Sequence, residues 1–386
     1  MKRSILFFFL ALLLAATANA QEAAPTWKII LLERTSTQLI TATPNSMETL
    51  ATIPEYAWFN ITFQPQISPD GQYLSFGGVV DIEGTPATGV FLANLTTSQC
   101  CWLMPDPIPN GADFVQVGPF NPDSTQISAI LARTSAAGEG GPGTAAFITI
   151  YNLSDLTIAA TLPPAVLQPQ GSEGAILSAT FGKWKDDGLR VAPACIDCNA
   201  PVEGRYQVWN PNTDVLTASQ EYFFGANRQI LENTGEAIAA VYNENFPSAA
   251  SDETITPLPN TVEYYAVAGV DAAPEIIYFN PNDLRIRSTG WVLDGNAILV
   301  THLENPMGTL VFRDGTQQTL EIGSDSVLLS GTPDGWLMID VSRLLHYTFI
   351  DNQLVVNTLG PIDGRIVILE QPVLGTTARA GFTTIQ

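Results

Sequence analysis

The sequence predicts an all-β fold, a β-propeller of four-stranded blades, on three observations. A turn-and-strand element recurs along the chain. Each copy is followed by a further pair of alternating strands. Helical periodicity is nearly absent after residue 20.

The recurring element begins as Ser68-Pro69-Asp70-Gly71 before an apolar strand at 73–76. It returns as Asn121-Pro122-Asp123-Ser124 before 127–131, and as Lys185-Asp186-Asp187-Gly188 before 189–191. Asn233-Thr234-Gly235 before 237–241 is a degraded copy. Leu293-Asp294-Gly295-Asn296 and Thr332-Pro333-Asp334-Gly335 complete the six, spaced 40 to 64 residues apart. Asp-Gly between apolar runs marks a hairpin, because both residues tolerate positive φ. The second element is an alternating strand, a polar turn and another strand. It occupies 90–103, 147–162, 206–219, 309–322 and 345–359. Alternation with period two gives each strand two unlike faces.

Four short antiparallel strands per repeat, with no helix between repeats, define a propeller pattern. A pair of β-sandwiches competes with it, but sandwiches lack a repeated turn-strand element. Six turns mark six blades. A seventh is split: 27–32, 38–43 and 47–53 read as three strands without a leading one, and 365–369 can supply it. That pairing closes the ring and hides two sheet edges. Seven blades are therefore expected, with six or eight also compatible with the spacing.

The Ser68-Pro69-Asp70-Gly71 run with its following strand resembles the SPDG element of TolB-type and WD-repeat-like propellers. The resemblance extends over nearly all of residues 27–380. It implies that the dipeptide links the two inner strands of a blade. It implies no particular activity, since propellers host binding proteins and hydrolases alike. The chain departs from TolB itself, because strand pattern begins at Trp27 and leaves no room for an N-terminal α/β domain. A WD dipeptide with its Gly-His partner is also missing.

Composition narrows the function classes. The 386 residues hold 16 Lys+Arg against 38 Asp+Glu, a net charge of −22. Such a chain has no cationic excess to displace phosphate counterions, so nucleic acid is excluded as a partner. An apolar content of 46% excludes disorder. Residues 1–20 combine Lys2 and Arg3, an apolar run and Ala18-Asn19-Ala20. This is a secretory signal with cleavage expected before Gln21, too short to span a bilayer. Loss of its two basic residues moves the net charge from −22 to −24. Residues 21–386 then form a single propeller domain, secreted or periplasmic, without membrane insertion and monomeric.

Function is expected on the long connections between second and third strands, at 80–89, 134–146, 192–204 and 244–261. Long loops on a rigid scaffold are where binding residues gather. These carry Asp81, Glu83, Glu139, Asp197, Glu203, Glu244, Asp252 and Glu253. The expectation is an exported, non-catalytic scaffold that binds a protein or small ligand through this face. A solvated acidic rim is the plainer reading of the same residues. The opposing class is an extracellular hydrolase or lyase, glycan-active for example, with paired carboxylates at the central channel.

Other chemistry has few candidates. Cys195 and Cys198 are expected to form a disulfide that staples their loop, as an exported chain favours oxidation. Cys100 and Cys101 sit in another repeat and suit no shared tetrahedral ion. No metal or cofactor is expected, and the turn aspartates are expected to bond their own turn backbone. His302 and His346 lie on predicted strands without a partner Ser or Cys, and no G-x-S-x-G elbow exists. The seven tryptophans mostly fall within strand patterns and read as blade core.

Overall fold

The computed structural model describes residues 26–33, 38–52, 65–82, 85–97, 99–108, 111–112, 114–133, 145–167, 177–195, 204–223, 228–231, 233–243, 245, 259–266, 273–279, 285–303, 305–323, 326–350, 353–362, 366–376 and 381–382. The first three strands are β1 (Ile29–Glu33), β2 (Gln38–Ala42) and β3 (Met47–Thr52). Blade 1 follows as β4 (Gln66–Ile67), β5 (Tyr73–Ile82), β6 (Thr85–Asn94) and β7 (Gln99–Leu103). Blade 2 is β8 (Phe114–Phe120), β9 (Gln126–Arg133), β10 (Ala145–Asn152) and β11 (Ile158–Leu162). Blade 3 is β12 (Leu177–Lys185), β13 (Gly188–Cys195), β14 (Gly204–Asn210) and β15 (Val215–Phe223). Blade 4 is β16 (Arg228–Leu231), β17 (Glu236–Val241), β18 (Thr261–Tyr265) and β19 (Glu275–Phe279). Blade 5 is β20 (Ile286–Val292), β21 (Ala297–His302), β22 (Met307–Phe312) and β23 (Gln317–Glu321). Blade 6 is β24 (Ser326–Thr332), β25 (Gly335–Asp340), β26 (Arg343–Ile350) and β27 (Gln353–Pro361). The last strand, β28 (Ile366–Glu370), pairs with β1 and completes blade 7 in the order β28-β1-β2-β3.

Seven four-stranded antiparallel sheets therefore answer the open count. The split blade forms as the pattern indicated. Leu31 stands opposite Ile368 and Leu32 opposite Val367. All five residues of β1 are buried, because it has a partner strand on each side. A chain ending at Pro361 should leave that apolar strand as an open edge. We expect it to elute as aggregate in size exclusion with light scattering; a monomer with cooperative unfolding would contradict this role for β28.

Alternation along each strand builds the joints between blades. Ile127, Ala129 and Leu131 of β9 pack with Val90 and Leu92 of blade 1. Ile130, between them in sequence, packs with Leu189, Val191 and Trp209 of blade 3. One strand thus feeds two cores through its two faces. Shared buried clusters bridge blades 4 and 5, 5 and 6, 6 and 7, and 7 and 1 in the same way. Trp209 and Trp336 are wholly buried, each side chain contributing about 2–3 kcal/mol by area.

The face of blade 3 turned away from blade 2 is different. There Arg190 is buried and its guanidinium bonds Asp187, Glu221 (2.9 Å) and the Gly188 carbonyl (2.9 Å). Burial works against the charged guanidinium, but these bonds outweigh it and raise its pKa. Lys185 adds a second bond to Glu221 at 3.0 Å.

First strands of neighbouring blades touch one another: β28 with β4, β4 with β8, β8 with β12, β16 with β20, and β20 with β24. They form the inner wall. An antiparallel meander sends the connections from first to second and third to fourth strands to one end, the turn face. Connections from second to third strands, and from one blade to the next, leave by the other end, the loop face.

Two expectations need correction. Residues 80–89 are no long loop, since β5 and β6 stay paired out to Asp81 with Pro86 and Ile82 with Thr85. Val79, Val80, Ile82 and Thr85 are β-branched and favour the extended ladder, which outweighs the loop signal of Gly84 and Pro86. The turn aspartates also differ in role. Asp70 does bond its own turn, accepting from the Gln72 amide and the Ser68 hydroxyl. In the second copy Asn121 does this instead, accepting from the Thr125 and Gln126 amides. Asp294 and Asp334 reach other parts of the chain, for reasons given below.

Candidate functional site

The sequence-selected carboxylates other than Asp81 fall between the second and third strands of four consecutive blades. The strands that flank those connections end together at the loop face. Asp81 lies on β5, opposite Pro86; its side chain, and all of Glu83, Glu139, Asp197, Glu203, Glu244, Asp252 and Glu253, lie outside the described residues. Cys195 ends β13, opposite Leu177, and Cys198 also lies outside them. Cys100 and Cys101 are on β7, the fourth strand of blade 1.

A cavity of about 530 Å³ opens on the inner wall beside β4, β8 and β12. Gln66, Gln116, Lys183, Phe181 and the backbone from Gly118 to Pro119 line it. Its chemistry is that of hydrogen-bonding carboxamides and one ammonium beside an aromatic edge. No carboxylate is among these described lining residues.

The histidines take structural positions. His302 is buried on β21, with Nε2 2.7 Å from the Tyr278 hydroxyl and Nδ1 3.2 Å from the Met307 carbonyl. Burial lowers its pKa, and the Met307 carbonyl only partly offsets that. His346 is buried on β26, with Nε2 3.3 Å from Asp334 Oδ1. Asp334 also accepts from the Thr332 hydroxyl (2.9 Å) and the Trp27 indole N–H (3.0 Å). Burial would raise the Asp334 pKa, but the bonds from His346 and Thr332 bring it below the ordinary value. Asp334 therefore ties Trp27, just before β1, to blade 6. Trp27, Trp209, Trp291 and Trp336 are buried. Trp102 and Trp184 are half-buried, and Trp58 lies outside the described residues.

The most elaborate constellation is one that no local pattern marks. Beyond β28 the chain crosses the turn face toward the inner ends of blades 4, 5 and 6. Leu374 packs in the core shared by blades 4 and 5, and its carbonyl accepts from the Asn233 side chain at 3.0 Å. Asp294, at φ 52° and buried, accepts from the Gly375 and Thr376 amides (2.8 and 3.0 Å) and the Thr376 hydroxyl (2.8 Å). That is why Asp294 is not spent on its own turn.

Further along, Arg313 and Glu236 form a two-pronged ion pair, 2.8 Å at each prong, with Glu236 only 1% exposed. Tyr264 donates its hydroxyl to Glu236 Oε1. The Gly381 amide donates to the same oxygen at 2.9 Å, and the Gly381 carbonyl accepts from Arg313 at 3.1 Å. Phe382 then lies 5.1 Å from the Tyr264 ring, 5.9 Å from Trp291 and 4.9 Å from the Arg313 guanidinium. Burial would lift the Glu236 carboxyl, but hydrogen bonds from Arg313 and Tyr264 hold it at about 2.

The seven four-stranded antiparallel sheets define a seven-bladed β-propeller. No family model and no curated protein matches the chain. Solved structures resemble it at low identity. A candidate 6-phosphogluconolactonase from Bacteroides fragilis shows 10% identity and a TM-score of 0.43, covering 92% of this chain and 98% of that one. The β-propeller domain of Cps50 (Swd1) from Myceliophthora thermophila shows 12% identity and a TM-score of 0.37, covering 86% and 96%. Prolyl oligopeptidase B from Galerina marginata shows 9% identity and a TM-score of 0.49, covering 88% of this chain and 52% of that one. The fold assignment rests on the seven sheets themselves.

Proposed function

We propose that the chain is an exported propeller that binds a cationic protein partner through its loop face. One observation carries the reading. The segments at 80–89, 134–146, 192–204 and 244–261, which contain the second-to-third strand connections of blades 1 to 4, hold eight carboxylates and no Lys or Arg. Like charges gathered without counter-charges raise the local potential and steer an oppositely charged partner. The turn face differs, because its described buried carboxylates, Glu236 and Asp294, are engaged within the chain. Export is proposed from the signal pattern at 1–20, and a Cys195–Cys198 bridge from the same setting.

The test is affinity capture from secreted and envelope fractions, with and without calcium. It compares the mature chain with a variant carrying Asn or Gln at all eight positions. The expected result is a basic protein retained by the native chain, released by salt and lost by the variant. Equal retention by the two chains would overturn the reading. A dependence on calcium would make the ion part of the contact.

A further inference from the structure

We infer that the Glu236–Arg313–Tyr264–Trp291 constellation is an exchangeable peptide-binding site on the turn face. Its ligand class is a peptide segment with glycine followed by an aromatic residue, and the chain's own Gly381-Phe382 occupies it here. The inference is independent of the loop-face reading, since the two sites lie at opposite ends of the blades.

Three features make this a recognition site and not simple packing. First, one ion pair satisfies both backbone groups of a single residue: Glu236 takes the Gly381 N–H and Arg313 the Gly381 carbonyl. That is the hydrogen-bonding a neighbouring strand would offer, supplied by two side chains. Tyr264 and the Gly295 carbonyl, 2.8 Å from Arg313 Nε, hold the pair in place before any ligand arrives. Second, Gly381 sits at φ +89°, a conformation that L side chains rarely adopt. The site reads glycine through backbone shape. Third, Phe382 rests between two rings and a guanidinium, an aromatic anchor with a cation over its face. Gly381 is exposed and Phe382 only half-buried, so the segment can leave without opening the blades. Arg313 also lies 5.5 Å over the Trp291 ring, which keeps the cage shaped when Phe382 departs.

The test uses a chain ending at Thr376, which keeps β28 and the Asp294 contacts, titrated with a synthetic peptide of residues 377–386. We expect saturable one-to-one binding by calorimetry. The Phe382→Ala and Gly381→Ala peptides should bind at least tenfold more weakly, and the full-length chain should bind none of them. Should the shortened chain fail to fold, the full-length Phe382→Ala chain takes its place, with its own tail weakened and the native peptide in excess. No binding to either folded acceptor would overturn the inference. So would equal affinity for the native and Phe382→Ala peptides, or equal binding by the intact chain.

Discussion

Replacing Glu236 with alanine should destabilise the chain by about 3–5 kcal/mol, the range for removing one partner of a buried pair. Arg313 is 10% exposed and would keep its charge with only carbonyl partners left. Tyr264 would lose the acceptor for a buried hydroxyl. The unfolding midpoint in urea reports the loss, and a midpoint equal to that of the native chain would refute it. The same carboxylate imposes a pH signature. Its folded pKa of about 2 lies below the ordinary 4.5, so the folded chain binds the proton less readily than the unfolded one. The stabilisation is complete above pH 4.5 and is lost as the pH falls toward 2. A difference of this size corresponds to about 3 kcal/mol. The Glu236→Gln chain should show a flatter dependence of stability on pH across that window.

Gly335→Ala should be at least as damaging, at more than about 3 kcal/mol, by forcing backbone against backbone. A methyl at Gly335 would stand 1.8 Å from the Tyr347 carbonyl oxygen and 2.8 Å from its carbon. No rotamer relieves that contact, because both sides are main chain in the ladder between β25 and β26. Gly71→Ala is the control. Its added methyl meets nothing within 4 Å, and only the strain of φ +72° remains, about 1–2 kcal/mol. Thermal melts of the two variants should therefore separate clearly, with Gly335→Ala also losing soluble yield. Equal melting temperatures would show that the β25–β26 ladder yields more readily than its geometry indicates.

The architecture was largely legible because its signals are local. Asp-Gly turns, period-two alternation and the missing leading strand before Trp27 can each be read within a dozen residues. Together they placed all seven blades and the closing strand. Reading failed where local punctuation opposed local propensity, as at Gly84 and Pro86 beside the β-branched run that continues the β5–β6 ladder. It failed wholly for the tail. Gly381 and Phe382 lie 145 and more residues from the glutamate that holds them, and nothing in the periodicity of either segment records the other. Arg190 and Glu221 are legible only as charges on strands, and Arg313 and Glu236 only as a turn arginine and a strand glutamate, because their pairing comes from the three-dimensional arrangement and not from pattern. For the eight selected carboxylates the sequence shows which segments carry them, while their mutual spacing depends on connection geometry that no repeat encodes.

Blade 7 also governs the order in which the chain can finish folding. Its β28–β1 seam joins residues as far apart as Ile30 and Glu370. Closing a loop of roughly 340 residues costs about 5 kcal/mol in chain entropy, and no local contact repays it in advance. Such remote pairing slows a fold relative to one built from neighbours. A chain made from its N terminus therefore presents Ile29–Glu33 first and covers it last. Until β28 arrives, β1 lacks one of its two partner strands and keeps an apolar edge open, which sets the interval in which the molecule is most vulnerable to association with its own copies.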